Sequence, residues 1–249
     1  MKKLLGIGLA VAASLPLAHA GETEIRRNLE PKLGGARIEA VRETPIPGLF
    51  EVQVQAGGEV QILYSDPSGS HVIQTDGREG GHIIDAKSGQ DLTEERLRKL
   101  NAINFAALPL DQAVKIQRGK GQRVLAMFSD PYCPACRQFE KELAKIDDVT
   151  IYVFLYPVIR PANRDHSQAV WCSKDRAQAW LRLAAGPTPK VPEAQPDCPN
   201  PIDQTLELGR ALGVNSTPTL YLSNGDKYTG GRPAAELRRL LDEARRSRP

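Results

Sequence analysis

Cys133-Pro134-Ala135-Cys136 sets two thiols two residues apart, where an apolar run ends and a helix-like segment begins. At a helix N-terminus the unpaired backbone N–H groups and the positive dipole end favour a thiolate over a neutral thiol. A thiolate is a nucleophile for disulfides, and a second thiol two positions on can close a small ring and release what was attacked. The spacing predicts that Cys133 attacks substrate disulfides and that Cys136 resolves the mixed disulfide.

The elements that must hold this pair are legible around it. Val124, Leu125, Ala126, Met127 and Phe128 form a short unbroken apolar run, as expected of a strand buried on both faces. Ser129, Asp130 and Pro131 signal a turn. Phe139, Leu143 and Ile146 then recur at steps of four and three, which places them on one helix face. Residues 149–156 form a second apolar, β-branched and aromatic run, so two strands flank the redox helix in a βαβ unit.

Other uses of a CxxC need different surroundings. A zinc site requires two further Cys or His at suitable spacing. Cys172 and Cys198 form no second CxxC, and His19 falls in a segment expected to be removed. A purely structural bridge within the CxxC would constrain the unfolded chain little, because its ring is small. Small cofactors and metals are not indicated.

Four cysteines allow three pairings. The simplest gives Cys133 and Cys136 to catalysis and Cys172 and Cys198 to structure. A bridge over the latter loop would stabilise by roughly 3.5 kcal/mol in the chain-entropy model. That segment carries Pro187, Pro189, Pro192, Pro196, Pro199 and Pro201, which preclude continuous helix.

Disulfide chemistry depends on compartment. Lys2 and Lys3, a mostly apolar stretch over residues 4–17 and Ala18-His19-Ala20 read as a secretory leader with cleavage after Ala20. The stretch is shorter than the ~20 residues that span a bilayer, so an exported, soluble mature chain is expected. The formal charge of +3 becomes +1 once Lys2 and Lys3 are removed. Nothing in that near-neutral balance points to nucleic acid. Arg238, Arg239, Arg245 and Arg246 are interleaved with Glu236, Asp242 and Glu243, a solvated helix face.

Residues 37–85 alternate apolar and polar side chains in short runs, such as Phe50, Val52, Val54 and Val60, Ile62, Tyr64. Turn signals stand at Gly57-Gly58, Asp66-Pro67, Asp76-Gly77 and Gly80-Gly81. A small antiparallel sheet is expected, preceded by a helix over residues 22–33. Asp91 with Glu94 resembles a capping box, and Leu92, Leu97 and Leu100 give partial helical periodicity. This is the expected linker helix, ending near Phe105.

The expected plan is thus a leader (1–20), an α+β N-terminal domain (21–90), a linker helix segment (91–112) and an α/β domain (113–249). The last is expected to carry a helical insertion, with Trp171, Trp180, Leu181 and Leu183 in its core. Leu206, Leu208, Ala211, Leu212 and Val214 suggest a helix leading to Ser216-Thr217-Pro218. Thr219 to Leu222 reads as a strand and Asn224-Gly225 as a hairpin turn. Proline at a strand start is permitted, and a cis bond is plausible there.

A buried strand entering CxxC and a helix, with Thr-Pro before a later hairpin, resembles the thioredoxin fold. Phe128-Ser129-Asp130, Val170-Trp171-Cys172-Ser173-Lys174-Asp175 and Leu222-Ser223-Asn224-Gly225, with the leader, strand-rich N-terminal part and linker helix, extend the likeness. Together they resemble bacterial periplasmic disulfide isomerases of the DsbC type, over essentially the whole mature chain.

The resemblance implies that Thr217 and Pro218 form a substrate-binding pair facing the cysteines, and that Cys172 and Cys198 match the family's structural bridge. It implies a homodimer joined through the N-terminal domains, misfolded disulfide-containing exported proteins as substrates, and a membrane thiol reductase of the DsbD type as electron donor. Pro134-Ala135 departs from the Gly-Tyr common in these isomerases; proline after the first cysteine also occurs in the related DsbG branch. The expected activity is protein disulfide isomerase and reductase. A DsbG-like reductase of sulfenic acids, a net thiol oxidase, or a holdase with secondary thiol activity are the alternatives.

Overall fold

A computed structural model describes residues 17–74, 81–160, 164–185, 191–192 and 198–247. The chain divides into two compact units, one running to Gln55 and over Gln61–Gly81, the other comprising Ala56–Val60 and His82 onward.

In the first unit, helix α1 (Leu17–Leu29) and a 3-10 turn (Glu30–Lys32) precede strands β1 (Arg37–Glu43), β2 (Phe50–Ala56), β3 (Glu59–Ser65) and β4 (Val72–Gln74). The strands form one sheet in that order, with β1–β2 and β3–β4 antiparallel. Alternation in β2 sends Phe50, Val52 and Val54 to one face, where Ile38 and Leu63 meet Ile25 and Leu29 of α1. The helix starts earlier than residue 22, so it crosses the expected cleavage point after Ala20. The rest of the expected leader, residues 1–16, lies outside the described residues, as does the Asp76-Gly77 turn.

The second unit opens with α2 (Leu92–Leu100). Asp91 caps it, its carboxylate accepting the Glu94 N–H at 2.8 Å. Glu94 does not complete a capping box; its side chain instead meets Arg232 at 2.5 Å. The helix stops at Leu100, short of Phe105, where Asn101 caps it with its backbone N–H on the Leu97 carbonyl. Only 3-10 turns, Phe105–Ala107 and Leu110–Gln112, follow before the sheet. Arg98 donates to the Tyr228 hydroxyl at 2.8 Å, so α2 is fastened to this unit.

The second sheet holds β5 (Val114–Arg118), β6 (Arg123–Ser129), β7 (Val149–Leu155), β8 (Thr219–Leu222) and β9 (Lys227–Thr229) in the order β5-β7-β6-β8-β9. Only β6 and β7 run parallel, joined by α3 (Pro134–Leu143), the expected βαβ unit. Sequence reading had no strand at Val114–Arg118, although Val114 and Ile116 alternate with polar residues there. On β6, Leu125 and Met127 enter one core with Phe139, Leu143 and Ile146, while Ala126 and Phe128 enter another with Phe154 and Tyr221. The strand is buried on both faces, as its unbroken apolar run requires.

The helical insertion comprises α4 (Arg164–Trp171), α5 (Arg176–Trp180) and a π-helical turn (Leu181–Ala185), with Trp171, Trp180 and Leu183 buried. Then follow α6 (Ile202–Ala211) and α7 (Ala234–Arg246), whose Leu237, Leu240 and Leu241 cover the sheet. At the β8–β9 hairpin, Gly225 has φ of 91° and a Cβ there would stand 2.0 Å from the Ile103 carbonyl oxygen. Glycine is the residue that fits. Among the described residues no helix is long and apolar enough to cross a membrane.

Candidate active site

The β6 strand delivers its C-terminal end, Ser129-Asp130, to the start of α3. Asp130 is buried and builds the turn: its carbonyl accepts the Cys133 N–H at 3.1 Å, and its carboxylate accepts the N–H of Tyr132 at 2.8 Å and of Ile159 at 2.7 Å. Cys133 is the N-cap of α3 and Pro134 its first residue, a position that needs no N–H. The Cys133 side chain makes no capping bond, so its sulfur lies at the positive end of the helix without serving it.

The Thr217-Pro218 peptide is cis and precedes β8. The Cys133 thiol donates to the Thr217 carbonyl at 3.2 Å. Cys133, Thr217 and Pro218 therefore meet in space although 84 positions separate the first two. Cys133 is only 5% exposed, with the Thr217 carbonyl against its sulfur.

Cys136, one helical turn into α3, is buried more fully. Burial pushes its thiol up to about 12, partly opposed by the Ser129 hydroxyl, the Asp130 backbone and the Thr217 hydroxyl; the neighbouring Cys133 adds to the rise. Ser129 Oγ and Thr217 Oγ1 have no hydrogen-bond partner among the described residues. Both lie beside Cys136 without meeting bonding geometry to it, and are placed to donate once a thiolate forms. Sequence reading singled out Thr217 but not Ser129.

Two more groups were missed. Glu140, on α3 four positions after Cys136, is buried and accepts the Trp180 indole N–H at 2.7 Å. Burial raises its carboxyl, with Trp180 and then Arg118 opposing. Tyr132 bonds His166 of α4 through its hydroxyl. No periodicity marks either: a charged residue mid-helix such as Glu140 reads as exposed, and Tyr132 lies in the turn before α3.

Cys172 and Cys198 are joined by a disulfide, with Cα atoms 5.8 Å apart, tying the end of α4 to the segment before α6. Pro187, Pro189 and Pro196 lie outside the described residues. Cys133 and Cys136 are both free. Among the described residues no cluster of His, Cys, Asp or Glu could hold a metal ion.

A CxxC pair at the mouth of a βαβ unit, faced by a cis Thr-Pro before an antiparallel hairpin, defines a thioredoxin-fold thiol–disulfide exchange protein. Family models agree in both halves: "Thioredoxin-like domain" over residues 110–245 and "Disulfide bond isomerase protein N-terminal domain" over residues 16–94. The chain belongs to the DsbC-type thiol:disulfide interchange proteins.

It is 37% identical over 218 residues to the Bordetella pertussis protein named "Probable thiol:disulfide interchange protein DsbC", covering 87% of this chain and 73% of that one. To the Escherichia coli K12 "Thiol:disulfide interchange protein DsbC" it is 25% identical over 251 residues, 98% of this chain and 97% of the other. A crystal structure of a disulfide interchange protein from Neisseria gonorrhoeae aligns with a TM-score of 0.53 at 35% identity, over 57% of this chain and all of that one. These likenesses favour disulfide exchange over the holdase and sulfenic-acid readings.

Proposed function

We propose that this protein rearranges incorrect disulfides in exported proteins, with Cys133 as nucleophile and Cys136 as resolving thiol. The Cys133 thiolate attacks one sulfur of a substrate bridge. That bond breaks, its electron pair leaves on the other sulfur as a thiolate, and a mixed disulfide remains on Cys133. If the freed substrate thiolate attacks a different substrate bridge, pairing is reshuffled with no net oxidation. If Cys136 loses its proton and attacks Cys133 Sγ, the substrate departs reduced and the Cys133–Cys136 pair is oxidised.

The burial of Cys136 carries this reading. A resolving thiol pushed up to about 12 is almost wholly protonated at neutral pH, so the second route is slow and the mixed disulfide has time to isomerise. Thr217 and Pro218 hold the substrate chain in extended form: the Thr217 N–H has no partner among the described residues, and its carbonyl is engaged only by the Cys133 thiol. Cys172–Cys198 is the structural bridge of the insertion.

The working form is a periplasmic homodimer released by cleavage after Ala20 and kept reduced by a membrane thiol reductase of the DsbD type. Support for the dimer lies in β4, an edge strand on which Val72 and Ile73 are 47% and 49% exposed. A domain plan of 21–90, 91–112 and 113–249 accompanies it, with the linker segment's helix confined to α2.

The test is reactivation of a scrambled multi-disulfide protein. Wild type restores its activity, Cys133→Ser abolishes this, and Cys136→Ser keeps part of it. Full activity of Cys133→Ser would sink the proposal.

A further inference from the structure

The segment after β7 forms a ledge beside the redox turn. Ile159 is held there by its N–H bond to the Asp130 carboxylate at 2.7 Å, and Val158 by its N–H bond to the Tyr156 carbonyl at 3.0 Å. With the backbone so fixed, Val158 and Ile159 are 39% and 49% exposed, two large apolar side chains facing water side by side. Arg160 follows, its guanidinium 5.9 Å from the ring centre of Tyr132, the residue immediately before Cys133. The Tyr132 ring is held from its other end by His166, with ring centres 5.5 Å apart.

The charges around this ledge are unequal. Asp130 is buried and committed to two backbone N–H groups. Arg137, in the first turn of α3, also lies within electrostatic range of Tyr132. Arg160 is exposed and has no carboxylate partner among the described residues. A cation left unpaired over an aromatic ring, next to two exposed aliphatic side chains, matches a ligand that is apolar and anionic together.

We propose that Val158, Ile159, Arg160 and Tyr132 form a substrate subsite selecting disulfides whose cysteine is flanked by an apolar residue and a carboxylate. This deepens the isomerase reading and rests on it. The ledge is tied to Asp130, whose carbonyl accepts the Cys133 N–H, so it borders the redox turn. Arg160 acts on encounter and orientation; it takes no part in bond exchange.

The test uses two synthetic peptides, each with one cysteine capped by mercaptoethanol through a disulfide, with Leu-Glu or Leu-Lys beside the cysteine. The rate of mercaptoethanol release by the reduced protein is measured at low and high salt, with hydroxyethyl disulfide as an uncharged reference. Wild type attacks the glutamate peptide about threefold to tenfold faster than the lysine peptide at low salt, and the ratio shrinks as salt rises. Arg160→Gln brings the ratio near one and Arg160→Glu inverts it, while Lys120→Glu, on the exposed turn after β5, leaves it as in wild type. Equal rates for the two peptides with wild type, or a preference that survives Arg160→Glu, would overturn the subsite. Failure of wild type to reduce hydroxyethyl disulfide would instead overturn the thiol chemistry on which it rests.

Discussion

Glu140 shows what a single buried residue adds to the redox helix. Its carboxyl is raised by burial, so the folded protein holds this proton more tightly than the unfolded chain does. The stabilising contribution is complete below the ordinary carboxylate range and is lost as pH rises through the raised value. At neutral pH the group is therefore a liability that Trp180 only partly relieves. Glu140→Gln keeps an acceptor for the indole N–H and cannot ionise. It should raise stability to denaturant on the order of 1 kcal/mol at pH 7, with a smaller gain at pH 4. Glu140→Leu leaves the indole N–H unsatisfied and should be less stable than Glu140→Gln by about 1–3 kcal/mol. A Gln variant less stable than wild type at pH 7 would mean the ionised carboxylate is needed.

At the scale of elements, α6 lies against the end of β7 through a residue with no side chain. A Cβ on Gly209 would stand 2.3 Å from the Tyr156 ring, whose hydroxyl donates to the Val214 carbonyl at 3.2 Å. Helix propensity alone favours alanine there by up to about 1 kcal/mol. Steric overlap wins: Gly209→Ala should lower stability by about 1–3 kcal/mol, read from denaturant midpoints. A stabilised Ala variant would contradict the packing.

Elements were legible where the pattern is local. Phe139 and Leu143 announce the buried face of α3 by spacing, while Ile146, buried as well, lies beyond the helix end at Leu143. Asn224-Gly225 announces its hairpin because few residues fit that turn. The meeting of Cys133 with Thr217 was not legible from the residues, since nothing local to either encodes a contact set by closure of the whole sheet; resemblance supplied it. Glu140 escaped notice because its partner, Trp180, is 40 positions away. Leu92, Leu97 and Leu100 mark the linker helix but not its end, which Asn101 sets by capping α2 short of Phe105.

For the whole molecule, the N-terminal unit is a four-stranded sheet with one helix and a small core. Such a sheet exposes two edges, and β4 carries apolar side chains where a monomer would favour charge. Replacing Ile73 with lysine should convert the proposed dimer to monomer in light scattering, without loss of hydroxyethyl disulfide reduction by the catalytic unit. A wild-type protein that already scatters as a monomer at micromolar concentration would exclude this edge as a dimer contact.

The division of labour between the two thiols is tested most directly by trapping. Reduced Cys136→Ser, mixed with a disulfide-containing peptide at pH 7, should accumulate a covalent adduct that peptide mapping places on Cys133. Cys133→Ser under the same conditions should stay unmodified, because Cys136 is buried and protonated. An adduct forming on Cys136 at a comparable rate would contradict the assignment of nucleophile and resolving thiol.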